Sequence, residues 1–320
     1  GDRTNTGVTV NAGGNLSLDA SGGGTTAFSL IGTGGVGSSG TAIGDVMVTS
    51  GGAGGVQLLA GDNTDVFAQI GHGGNQNSDG TLSGNVTLDA AGPISMSGGL
   101  GENAFAQIGL GGNGQDGVKT GDVIVTSSAG GLTMTGGDTP GSVADAYVMI
   151  GNGGHAANNN INGNTIVDVA GPIAMNSGSG VRSYTMIGLA GQGANGAMTG
   201  NVSVTSGGGI DLNAGSGSVA FSHIGIGGQD SDGAKSGNIT VNARGGAINA
   251  IGSSGSNSYA LIGSGASDTS GDIDGFIDID ASGAITFQGG SGSAAIAVAG
   301  FTAVTTTGNN GDADDYVSVN

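Results

Sequence analysis

A phrase of one aromatic residue, two further positions and then Ile-Gly returns seven times along this chain. Phe28, Phe67, Phe105, Tyr147, Tyr184, Phe221 and Tyr259 open the copies, and Ile31, Ile70, Ile108, Ile150, Ile187, Ile224 and Ile262 close them. Successive isoleucines lie 37 to 42 positions apart. A fixed period of this size marks a repeat architecture, in which one supersecondary unit is copied and stacked. Residues 1–320 then form one elongated domain whose units lean mainly on their neighbours, with a degenerate last copy near 290–320.

Two more phrases accompany the aromatic one. The first follows Gly-Asn or Gly-Asp, as in Val46-Met-Val48, Val86-Thr-Leu88 and Val202-Ser-Val204. In the fourth copy it reads Ile166-Val-Asp-Val169, slightly offset. The second comes some ten residues later, as in Val56-Gln-Leu58, Ile94-Ser-Met96 and Ile210-Asp-Leu212. Alternation of apolar and polar residues over such short spans is the pattern of a half-buried strand. Strands repeated at one period can pair with their own copies, parallel and in register, about 4.8 Å apart. The expected fold is all-β: a parallel β-solenoid of about eight coils of about 38 residues, with three short strands per coil.

The connection after Ile-Gly is the longest. In the second copy it runs from Gly71 to Gly84 through His, Asn, Gln, Ser and Asp, without alternation. A strand hidden there would divide each period into two small coils. The missing alternation favours one large coil carrying a protruding Gly/Asn/Asp-rich loop.

Within the aromatic strand, Ala104, Ala106 and Ile108 share one face, and Phe105 and Gln107 share the other. The small-small-Ile face suits the inside of a narrow coil, which places the seven aromatics in a ladder on the far side. An exposed ladder of that length is too large an apolar patch for a soluble monomer. The expectation is a buried ladder, covered either by the long loop of its own coil or by another chain.

Composition narrows the function classes. The formal net charge is −19, and Arg3, Lys119, Arg182, Lys235 and Arg244 are the only basic residues besides histidine. Binding a phosphate backbone needs clustered lysine and arginine, so a nucleic-acid partner is not expected, nor is docking on an anionic membrane. No apolar run is long enough to span a bilayer, so no membrane insertion is expected. Cysteine is absent and Glu102 is the lone glutamate. The chain opens inside what reads as a repeat, which suggests a segment of something longer.

Stretches such as Gly84-Asn-Val-Thr-Leu-Asp-Ala-Ala-Gly-Pro-Ile-Ser-Met96 and Gly200-Asn-Val-Ser-Val-Thr-Ser-Gly-Gly-Gly-Ile-Asp-Leu212 resemble the repeats of large bacterial exoproteins, the filamentous-haemagglutinin-like adhesins. That resemblance implies a right-handed coil, secretion to the bacterial cell surface, and a role as a rigid stalk or adhesive surface. The long loop and the regular aromatic-Ile-Gly phrase depart from the family pattern.

Chemical motifs are sparse. Gly32-Thr-Gly-Gly-Val-Gly37 and Gly109-Leu-Gly-Gly-Asn-Gly114 match a dinucleotide fingerprint in letters, but that fingerprint needs a helix start to hold the pyrophosphate, and no helical pattern follows. Asp79, Asp116, Asp232, Asp268 and Asp272 lie in the long loops and are weak candidates for calcium, a cation that takes oxygen ligands. No other cofactor is expected. His72, His155 and His223 fall at unlike positions of the repeat, which argues against a shared metal site. No paired carboxylates interrupt the repeat to build a polysaccharide-cleaving cleft. The sequons at Asn15, Asn85, Asn201 and Asn238 follow from Gly-Asn turns opening strands. Paired Thr-x-Thr rows, which would suit an ice-binding face, are missing.

The sequence therefore points to a non-catalytic structural or adhesive extracellular β-solenoid. It would be a segment of a surface exoprotein or a filament subunit, self-associating end to end or through the aromatic face. A carbohydrate-binding or polysaccharide-degrading β-helix is the alternative, with cell-surface glycans as partners.

Overall fold

A computed structural model describes residues 3–4, 7–76, 80–138, 145–301, 306–307 and 316–319. Those residues are all-β, with no helix, and wind into a parallel β-solenoid of about 8 turns spaced about 38 residues apart.

The three expected strands recur in every full coil. The five-residue strands, such as Val86–Ala90 and Val123–Ser127, stack into a nine-stranded long sheet. The strands Ile94–Ser97 and Leu132–Thr135 belong to an eight-stranded short sheet. The aromatic strands, from Phe28–Ile31 to Ile296–Gly300, form a third sheet of eight. Pairing is parallel and in register, with Phe105 beside Tyr147 and Ile108 beside Ile150. In the offset fourth copy the strand begins at Thr165, which pairs with Val123, so Thr165, Val167 and Val169 point inward and Ile166 points outward.

The segment expected as a protruding loop is part of the wall. It begins with a ribbon of three-residue strands, Gly34–Val36, Gly73–Asn75 and Gly111–Asn113, which pair in register and continue as bridges from Gly111 to Gly153 to Ala190. It ends with two-residue strands, such as Leu82–Ser83 and Lys119–Thr120, which form another eight-stranded sheet. Glycine has no side chain to alternate, so a strand made of it is silent to a periodicity test.

The ribbon and the two-residue sheet, a fourth and a fifth wall, give each coil two cores, one on each face of the aromatic strand. The main core takes Ala106 and Ile108 from that strand, Val125 from the long sheet, Met134 from the short sheet and Leu82 from the two-residue sheet. The second core holds Phe67, Phe105, Tyr147, Tyr184, Phe221 and Tyr259 with Met149, Met186 and Leu261. The aromatic strands of the middle coils are therefore buried on both faces.

The glycine of the Ile-Gly phrase makes this possible. Gly71, Gly109 and Gly151 adopt φ of 139°, 146° and 134°, a region that side chains rarely enter. A Cβ on Gly109 would lie 2.0 Å from the carbonyl oxygen of Gly151 in the next coil. Only a bare backbone lets successive coils stack at this corner. The Asn or Asp that opens the long strands of the middle coils locks another corner: Asp122 Oδ1 accepts from the Asn164 backbone N–H (2.7 Å), Asn164 Oδ1 from Asn201 (2.9 Å), and Asn201 Oδ1 from Asn238 (2.9 Å). The recurrent Gly-Asn sequence is thus a hydrogen-bonded ladder running between coils.

Candidate functional site

Seven aromatic rings stack in one column from Phe28 to Tyr259. Neighbouring centroids are 4.7 to 5.0 Å apart and ring planes agree within 6°. The spacing is that of the coils themselves, because each ring rises from an equivalent, paired backbone position. Offset-stacked rings add about 0.5–1.5 kcal/mol per pair beyond the area they bury.

The cover of this column is the chain's own glycine ribbon. A Cβ on Gly35 would sit 3.4 Å from Cζ of Phe28, one on Gly154 would lie 2.8 Å from the Tyr147 hydroxyl, and one on Gly191 would lie 2.9 Å from that of Tyr184. Six of the rings are at most 1% exposed. Those six are enclosed by the chain's own ribbon, the first of the two covers expected for the ladder. Phe28, at one end, remains 46% exposed.

Polar side chains tie strand to ribbon. Gln107 Nε2 donates to the carbonyls of Gly151 and Gly153 (both 3.2 Å), and Gln69 does the same one coil earlier toward Gly109 and Gly111. His223 occupies the same column, and its Nε2–H donates to the Gly263 carbonyl at 2.9 Å. Burial pushes the pKa of His223 down to about 4, so the ring is neutral at pH 7. His72 stands in a different column: its Nδ1 accepts from Thr33 N (3.0 Å) while Nε2–H donates to Gly44 O (2.7 Å), and burial lowers its pKa too. Asn152 makes the matching pair of bonds two coils on, accepting from Leu110 N and donating to Gly121 O. His155 stands in a third column, at the rim of the aromatic core. Its Nδ1 pairs with Asn113 Oδ1, and Asp145 lies 3.9 Å from Nε2 and 3.7 Å from Arg182. Burial lowers the His155 pKa against the pull of Asp145. The histidines are structural bridges in three separate places.

Two buried lysines were missed in the sequence. Lys119 and Lys235 fill a main-core column that elsewhere holds Leu82, Ile161 and Met198. Lys119 Nζ donates to the carbonyls of Gln115 (2.6 Å) and Asn158 (2.7 Å). Lys235 Nζ donates to those of Ser231, Gly233 and Ser270 at 2.9 to 3.0 Å. Burial pushes Lys119 down to about 7 and Lys235 to about 8, opposed by Asp116 and Asp232 respectively. A signal was present: Asp-Gly-Xaa-Lys occurs at 116–119 and at 232–235.

The calcium candidates do not come together. Asp116 Oδ1 accepts from Asn158 Nδ2 at 2.7 Å, Asp232 Oδ1 accepts from the Ser270 hydroxyl, and Asp268 Oδ2 accepts from Ser267. Asp272 contributes its backbone carbonyl to Lys235 N, and Asp79 lies outside the described residues. Among the described residues no group of three or more His, Cys, Asp or Glu side chains is placed to hold a metal ion. The two dinucleotide-like glycine runs are ribbon and lead into no helix. No helix among the described residues is long and apolar enough to cross a membrane.

No protein-family model, no curated protein and no solved structure matches this chain.

Proposed function

We propose that this chain is a non-catalytic structural or adhesive element of an extracellular surface, a stiff β-solenoid segment that adds to its own kind end to end. The observation carrying this reading is that the middle coils are self-complementary. Each of them offers the next a full set of parallel strand edges, a ring face for the aromatic stack and an Asx side chain for the ladder. Toward the far end the strand edges continue, with Ile296 in the ring column and Phe276 in the Asx place. The ring face of Phe28 is the exposed member of that set. Unpaired edges invite further strands unless they are blocked. The non-catalytic part of the reading is supported by how the acidic and imidazole groups are used: Asp116, Asp122, His72 and His223 are engaged in bonds between coils. The resemblance to haemagglutinin-like repeats supports the surface location.

Sedimentation over a concentration series, with negative-stain imaging, tests the proposal. The expected result is rods that lengthen in steps of one chain, and a Phe28→Asp variant that stays short. Particles of a single chain's length at every concentration would overturn it.

A further inference from the structure

The outward face formed by the two-residue sheet and the long sheet changes character along the rod. In the fifth coil its row is Thr199, Asn201, Ser203 and Thr205, and in the sixth it is Ser236, Asn238, Thr240 and Asn242. All eight are hydroxyls or amides, on a chain of net charge −19. Carboxylates bound this window on both sides: Asp168 in the fourth coil, and Asp274, Asp278 and Asp280 in the seventh. The amide row is held in place, since Asn164 Oδ1 takes both the backbone N–H and Nδ2 of Asn201.

A groove of about 310 Å³ adjoins the window where the long sheet turns toward the short one, lined by Thr126, Ser128, Asp168, Ala170, Gly207 and Arg244. Arg244 Nη1 stands 3.8 Å from Asp168 Oδ1, beyond hydrogen-bond length, and the two side chains are 62% and 54% exposed. The pair is held close by charge while its N–H groups and lone pairs stay turned to solvent. An anionic polymer would meet the field of the whole chain. A cationic one would find more carboxylate elsewhere on it. An uncharged chain dense in hydroxyls matches both the window and the groove.

We propose that this groove and the uncharged rows beside it bind a neutral polysaccharide, Asp168 accepting from sugar hydroxyls and Arg244 donating to sugar oxygens. The site refines the adhesive half of the function proposed above and stands apart from end-to-end assembly. Copied along a rod, it would gain strength through multivalency rather than through any single contact.

The test uses the whole chain on immobilised neutral oligosaccharides (glucan, mannan, galactan and N-acetylglucosamine series) beside acidic ones. The expected result is retention on at least one neutral series, insensitive to salt because the ligand carries no charge. Asp168→Asn or Arg244→Gln should weaken it about tenfold or more, the scale of one hydrogen bond to a charged group. Thr133→Ala, on the short sheet, should leave it unchanged, and all variants should keep the wild-type β-sheet spectrum. Binding to acidic sugars only, binding that survives both substitutions, or ice-crystal shaping without glycan retention would overturn the proposal, as would no binding at all. Rod length under negative stain, unchanged in Asp168→Asn, separates this outcome from failure of the assembly reading.

Discussion

On one side of the aromatic strand, the main core accepts many kinds of residue at equivalent positions: Leu82, Lys119, Ile161 and Met198 share one column, and Val123 and Thr165 share another. On the other side, the central column holds Phe or Tyr from the first coil to the seventh, with planes parallel to within 6°. The main core is wide and filled from four walls, so a larger side chain in one coil can be offset by a smaller one beside it. The aromatic core faces a ribbon where a Cβ at Gly73 or Gly111 would fall 1.8 to 2.0 Å from a carbonyl oxygen, and the column admits a side chain only at Ala190, with φ of 97°. The contrast holds column by column. The main core also keeps one constant column, Ile31 to Ile262, and the column beside the rings varies through Gln107, Met149, Met186 and His223. The ring column itself, pressed on bare backbone, admits only Phe and Tyr from Phe28 to Tyr259.

The comparison breaks first if the main core tolerates anything at all. Ile108 is fully buried in mid-stack, and Ile108→Asp places an unpaired charge there, at a cost of more than about 5 kcal/mol. It should unfold or aggregate, whereas Ile108→Val should cost about 1 kcal/mol. Urea melts followed by circular dichroism decide the matter. A full wild-type melt from the Asp variant would refute the inward assignment.

Lys119 sharpens the point, because its buried amine survives by reaching turn carbonyls. Its proton is held more weakly in the folded chain (pKa about 7) than in the unfolded one (10.5). Between those values the unfolded chain binds more protons, so stability rises with pH across the interval and is lost as pH falls through it to 7, on the order of 5 kcal/mol in all. Lys235 adds a smaller change of the same sign above about 8. Tyr147, Tyr184 and Tyr259 have pKa values raised by burial, so they oppose this rise once unfolded tyrosine begins to ionise near pH 10. Urea midpoints should climb from pH 7 toward pH 10 in the wild type and climb less in Lys119→Met. Equal slopes in the two proteins would remove the lysine from the account.

On the aromatic side, Gly109→Ala should cost about 3 kcal/mol or more, since it combines a strained φ with a backbone collision. A thermal melt within error of wild type would show that the corner can open. The smallest effect is expected from Tyr184→Phe. Its hydroxyl is buried without a hydrogen-bond partner meeting normal geometry, so removal should be neutral or stabilise by up to about 1 kcal/mol. A clear loss of stability would mean that the hydroxyl is well bonded.

The sequence made three of the five walls legible, because Val86-Thr-Leu88, Ile94-Ser-Met96 and the aromatic phrase carry alternating side chains at a constant period. The register followed from the same period, and Ile31 to Ile262 do pair in one column. The ribbon was hidden because Gly73 and Gly74 offer no side-chain pattern, and with it went the second core and the cover over the rings. The lysines were hidden for another reason. One cation in a column of aliphatics reads as scatter until Asp-Gly-Xaa-Lys is seen twice. The groove at Asp168 and Arg244 joins residues two coils apart, a pairing that only the winding of the chain reveals.

The central claim, that the chain's own ribbon encloses the aromatic column, is tested most directly by ultraviolet titration of the phenol groups. Tyr147, Tyr184 and Tyr259 make up three of the four tyrosines and are buried with raised pKa values. The account predicts that these three stay protonated as pH rises past 10, and ionise only when the β-sheet spectrum collapses. Reversible ionisation of all four near pH 10, with the sheet intact, would show the column open to solvent and contradict the claim.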